Sequence, residues 1–153
     1  MTAKQYLQRA YNLRRRIAAK EMHLEELRTQ AEHITADLTG MPRGSGASSP
    51  VERIAVQIAD LSWELRDDWD ALIEIQEEIR KAIESLDDSV VVQILSLRYT
   101  SYKMWHEIAS DTNYSVSYVF KLHSKGIKAM QSRAIIEKDE KNKNKIENNS
   151  KDL

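Results

Sequence analysis

From Tyr6 onward, apolar residues recur at steps of three and four: Tyr6, Ala10, Leu13, Ile17, Leu24, Leu27, Ala31, Ile34 and Leu38, with Lys20 the one polar member of the stripe. A second stripe obeys the same rule through Ile54, Ile58, Leu61, Leu65, Leu72, Ile75, Ile79, Ala82 and Leu86, and Asp68 alone interrupts it. That period lines each set along one side of an α-helix, and a narrow seam kept over many turns predicts two long helices that pair as a coiled coil. Between them, TGMPRGSGASSP holds both prolines and three of the four glycines, so helix stops there. Ser49 then caps the second helix, Pro50 takes its first position, and Glu52 completes an S-x-x-E capping box. The simplest path is an antiparallel hairpin over residues 1–86, with 39–50 as its connecting loop. Lys20 and Asp68 fall in adjacent layers of the seam, either meeting across it and fixing its register or bending outward to solvent. Trp63, Trp69 and Ile73 lie off the seam and are expected to pack a second layer, against either the C-terminal domain or another subunit.

After Leu86 the pattern shortens. DDSVVVQILSLRY reads as a helix started by Asp87 or Asp88, with Val91, Ile94, Leu95 and Leu97 as its apolar contacts. In TSYKMWHEIASDT, Trp105, Ile108 and Ala109 share a face. Asn113 suits the left-handed conformation of a tight turn between helices, and small Ala109 permits a close crossing. Ser115 caps a third helix running to about Ile136, with Val119, Leu122, Ile127 and Met130 turned inward. The opposite side of that helix carries Ser117, Lys121 and Ser124, flanked by Tyr118 and Lys125. Residues 87–136 thus form a compact three-helix unit, and the polar segment 137–153, which has almost nothing apolar to bury, is expected to be a disordered tail.

Charge sharpens the picture. The 153 residues have a net charge of −1, but the sum conceals a segregation along the chain. Residues 51–88 carry four Lys/Arg against twelve Asp/Glu, whereas 1–38 carry seven against five and 89–138 seven against three. Within 115–136 the only charges are Lys121, Lys125, Lys128 and Arg133. A cationic helix free of acids is a candidate surface for phosphate. There is no cysteine, which excludes disulfides and thiolate metal sites. No segment has the uninterrupted apolar length that crosses a bilayer, so no membrane partner is expected and a cytoplasmic location fits.

WHEIASDTNYSVSYVFKLHSKGIKAM resembles the helix-turn-helix of region 4 of sigma-70-type factors: W/L-x-E-I-A, four variable positions, a small polar cap, V-x-x-L/I and a trailing K-x-L/I-K-x-L/M. The preceding ILSLRYTSYKMW is similar to the family's approach to the motif, where a helix ends in L-R-Y or L-R-F. Together with the long hairpin and the MPRGSG loop, the chain looks like the phage and prophage ArpU/RinA-like late transcription regulators. The resemblance implies an all-α fold: a long antiparallel hairpin followed by a C-terminal three-helix helix-turn-helix domain. It also implies a sequence-specific DNA-binding regulator in a bacterial host, activating late genes, with double-stranded DNA as its partner. The hairpin would serve either to form a homodimer or to engage RNA polymerase.

By that resemblance Val116, Ser117, Phe120 and Lys121 stand at base-facing positions. Sigma factors generally place Arg, Glu and Gln there, whereas this helix offers a hydroxyl, two apolar groups and one lysine, with Val116 or Phe120 suited to a thymine methyl. The complete expected DNA surface is Ser115, Val116, Ser117, Tyr118, Phe120, Lys121, Ser124, Lys125, Lys128 and Arg133, the four cations anchoring phosphates. Two other readings stay open: a packaging-initiation protein like a phage small terminase subunit, and a helical adaptor that binds RNA polymerase without touching DNA. No nucleophile motif, phosphate loop or convergent acid pair is present, so neither catalysis nor a cofactor or metal is expected. His106 and His123 are assigned surface or phosphate-facing positions.

Overall fold

The computed structural model describes residues 1–37 and 48–151, with side chains described as far as residue 134. Five helices and no strand occur among the described residues: α1 (Ala3–Asp37), α2 (Pro50–Glu84), α3 (Ser89–Tyr99), α4 (Trp105–Thr112) and α5 (Val116–Lys151). The chain is all-α, as its periodicity requires. Residues 38–47, which include Leu38 and most of the expected connecting loop, lie outside the described residues.

Two compact units divide the chain. One comprises Asn12–Glu74; the other joins Met1–Tyr11 to Ile75–Leu153. The division therefore falls inside both long helices and not at residue 86, because the outer turns of α1 and α2 belong with the C-terminal helices.

In the Asn12–Glu74 unit, Leu13, Ile17, Leu24 and Leu27 of α1 and Leu65 and Leu72 of α2 are buried. Lys20 and Asp68 do meet: the ammonium lies 2.6 Å from Oδ2 of Asp68 and 3.3 Å from Glu64. The hydrogen bond from Lys20 to Asp68 holds the lysine pKa above its ordinary value. The capping box is reciprocal, with the Ser49 amide donating to Glu52 at 3.0 Å and the Glu52 amide to Ser49 Oγ at 3.2 Å. Trp63, Trp69 and Ile73 are exposed, and Arg66 extends over the Trp63 ring.

The second unit has a denser core. Leu7 of α1, Ile79 and Ile83 of α2, Ile94 and Leu95 of α3, Ile108 of α4 and Val119 of α5 have almost no exposed surface. Polar links hold the outer turns of the long helices to it: the Ala3 amide donates to Gln131 Oε1 at 2.8 Å, and Gln76 Nε2 donates to the Tyr102 hydroxyl at 2.8 Å. Asp88 starts α3, its carboxylate accepting the amides of Val90 and Val91. Asn113 ends α4 in the left-handed region at φ 56°, ψ 25°, the conformation its short polar side chain tolerates. Tyr102 also has a positive φ, 58°, which its sequence does not advertise.

Helix α5 starts as expected after its Ser115 cap, whose Oγ accepts the Tyr118 amide at 3.2 Å. It then runs past the expected end at Ile136 to Lys151, so the backbone of the segment read as a disordered tail is helical as far as that residue. The sequence there spaces Glu137 from Lys141 and Asp139 from Lys143 by four residues, a pattern that favours helix without any core to pack against.

Where α5 crosses α3, Gly126 is buried, and a Cβ built on it would stand 2.7 Å from Val91 Cγ1 and 2.8 Å from Leu95 Cδ1. A methyl group does not fit without moving the branched side chains of α3. Alanine is the better helix former by roughly 1 kcal/mol, but overpacking a core costs about 1–3 kcal/mol. Gly126→Ala is therefore expected to lower the stability by about 1 kcal/mol, read as a lower urea midpoint. An unchanged or higher midpoint would show that the crossing has room to spare.

Candidate nucleic-acid interface

The turn before α4 is built around Arg98. Its guanidinium donates to the Lys103 carbonyl at 2.9 Å and lies 4.4 Å from the Trp105 ring centroid, so one side chain closes the turn and covers the first residue of the next helix. Glu107 accepts the Met104 amide at 2.7 Å, fixing the start of α4, and Lys103 pairs with Asp111 on the same stretch. Trp105 packs against Phe120 of α5 at 4.9 Å between ring centroids.

With Val119, Leu122 and Met130 buried, helical geometry determines what α5 presents outward. Ser117, Lys121, Ser124 and Lys128 follow at steps of four, three and four, and all four are exposed. Neither the Lys121 nor the Lys128 ammonium makes an ion pair among the described residues. The first turn of α5 contains no acid, so its amide dipoles add to the positive field there. Val116 and Phe120 border the stripe on one side, 41% and 44% exposed. On the other, Tyr118 rests edge-on against Tyr114 at 5.1 Å.

Two of the four expected phosphate anchors are engaged elsewhere. Lys125 Nζ is 2.6 Å from Asp88 Oδ2, which raises the lysine pKa and lowers that of the aspartate, in each case chiefly through their hydrogen bond. Arg133 is turned to the core side of α5, where it donates to the carbonyl and hydroxyl of Ser85 and reaches Asp87 at 3.2 Å. Its distance around the helix from Lys121 removes it from the stripe. Ser115 is used as a cap. The ten expected residues therefore separate into a central row of four, an apolar edge of two, Tyr118 and Lys125 on the far edge, and two with structural duties.

His123 corrects the sequence reading. It is 9% exposed, with Nε2 2.8 Å from the Tyr99 hydroxyl and its ring edge-on to Trp105 at 4.8 Å. Burial pushes its pKa down to about 4, and the positive charges of Lys4 and Arg98 act in the same direction. The ring is neutral near pH 7, and its Nε2 shares a hydrogen bond with the Tyr99 hydroxyl. Val119, His123, Gly126 and Met130 share the inner spacing of four, three and four, a signal that was available in the sequence. A cavity of about 360 Å³ lined by Tyr6, Leu86, Met130 and Arg133, among others, opens on this core side of α5 and includes no residue of the stripe. Among the described residues no group of three or more His, Cys, Asp or Glu is placed to hold a metal ion, and no helix is long and apolar enough to cross a membrane.

No family model, curated protein or solved structure matches the chain.

The sign of the His123 effect follows from its folded pKa of about 4 lying below the ordinary 6.5. Above 6.5 the ring is neutral in both folded and unfolded chains and contributes no pH dependence. As pH falls from 6.5 towards 4, the unfolded chain takes up the proton and the folded one does not, so stability is lost across that window. The melting temperature of the native protein should fall more steeply between pH 6.5 and 4 than that of His123→Gln. Parallel curves for the two proteins would place the imidazole in a solvated site.

Proposed function

We propose that this chain is a DNA-binding transcription regulator of phage or prophage type, related to the sigma-70 region 4-like late activators. In this reading α4 and α5 are the helix-turn-helix, and α5 lies against a duplex. The observation that carries the reading is the Ser117–Lys121–Ser124–Lys128 row, opposite a buried face and without an acid in it. Hydroxyls and ammonium groups at that spacing match phosphate oxygens, which supply most of the affinity of such interfaces. Val116 and Phe120 at the edge of the row would give apolar contact to thymine methyls. Sequence discrimination would rest on these few groups, with Lys125 and Arg133 outside the primary phosphate set.

The long helices then form an antiparallel coiled-coil hairpin. Support comes from the order of the ion pairs: Arg9 meets Glu78 and Lys20 meets Asp68, so partners descend along α2 as they ascend along α1. The Lys20–Asp68 pair sets the register, and the hairpin serves to form a homodimer or to engage RNA polymerase. The chain works by binding and not by catalysis.

Fluorescence anisotropy with a labelled duplex at several salt concentrations tests the DNA reading. Log affinity should fall linearly with log salt, and Lys121→Ala with Lys128→Ala should weaken binding and make the slope shallower by about 0.9 for each lysine removed. Binding without salt dependence, or a slope that ignores both substitutions, would contradict the assigned surface. An adaptor that touches only protein would give no DNA binding at all.

A further inference from the structure

Among the described cations of α5, Lys125 is the one that pairs with an acid while lying beside the exposed row. On the helix it lies four residues beyond Lys121 and three before Lys128, on the flank of the exposed row, and its side chain remains 65% exposed. Its ammonium is held by Asp88, whose other carboxylate oxygen caps α3 by accepting the Val90 and Val91 amides. The aspartate is thus fixed by its own backbone contacts, and it presents an anionic oxygen at 2.6 Å to a lysine beside the proposed phosphate track.

We propose that Asp88 acts as an internal phosphate mimic that competes with DNA for Lys125 and so limits the affinity of α5 for the duplex. This rests on the DNA-binding reading above and adds a regulatory element to it. An exposed ion pair contributes little to stability, so exchanging the carboxylate for a phosphate oxygen leaves the fold intact. The neighbouring pair behaves differently. Arg133 and Asp87 make a similar contact at 3.2 Å, but Arg133 leaves α5 on the core side, where it also donates to Ser85. Two adjacent acids therefore hold two cations of the same helix, and only one of those cations lies beside the row.

The contrast supplies the experiment, made on the full chain with the same labelled duplex. Asp88→Asn retains a capping side chain and removes the charge. It should bind severalfold more tightly at about 0.1 M salt, with a slope steeper by about 0.9, one additional neutralised phosphate. Asp87→Asn, which removes an equal charge one residue away, should leave the slope unchanged. In a Lys125→Ala background, Asp88→Asn should also leave the slope unchanged. Equal effects of Asp87→Asn and Asp88→Asn, or an Asp88→Asn slope identical to that of the native protein, would overturn the mimic while leaving DNA binding in place. A native protein with no salt-dependent DNA affinity would overturn both proposals. An unchanged circular dichroism spectrum of Asp88→Asn shows that the overall helicity is kept, so that a change in slope is not a loss of fold.

Discussion

Residue 126 has no side chain, and that lets α5 lie directly against α3. Val91 and Leu95 occupy the space where a Cβ would stand, so the backbones approach closely and the rotation of α5 about its own axis is fixed. Once Gly126 faces α3, Val119, Leu122, His123 and Met130 are carried inward with it. Ser117, Lys121, Ser124 and Lys128 are then turned outward. A rotation of α5 in the sense that carries Lys125 towards the core would expose Val119 and bury an unpaired charge, which is costly.

Charge placement follows the same geometry. The turn from α2 to α3 carries Asp87 and Asp88 at the point where α5 passes, and these draw Lys125 and Arg133 towards the unit's own surface. Lys121 and Lys128 lie beyond their reach. The positive charge of α5 is consequently divided between holding the helix in place and facing outward. The buried polar groups are satisfied locally: Tyr99 and His123 pair with one another, and among the described residues no buried side-chain nitrogen or oxygen lacks a partner.

Local patterning made much of this legible. The two long helices, the Ser49–Glu52 box, the Asp88 and Ser115 caps and the left-handed Asn113 each depend on residues within a few positions of one another, and each appears where the spacing places it. The Lys20–Asp68 contact was accessible because two single interruptions of two otherwise apolar seams must fall near each other. What escaped depends on partners distant in sequence. His123 reads as a surface residue until Tyr99 and Trp105 are brought to it. Gly126 reads as a weak point in a helix until α3 is laid across it. Lys125 and Arg133 read as free cations because Asp88 and Asp87 lie 37 and 46 residues away. The unit boundary escaped for a similar reason, since nothing in the heptads says that their outer turns, through Leu7, Ile79 and Ile83, join a different core. The extension of α5 to Lys151 shows the reverse: a segment with little to bury is nonetheless helical.

In the proposed function, the face of α5 opposite the α3 crossing meets DNA. Backbone amide chemical shifts, followed by NMR as a duplex is added, test it residue by residue. The largest changes are expected from Ser115 through Lys128, with the amides of α2 between Ile54 and Leu72 unmoved. Changes concentrated on α2, with α5 silent, would contradict it.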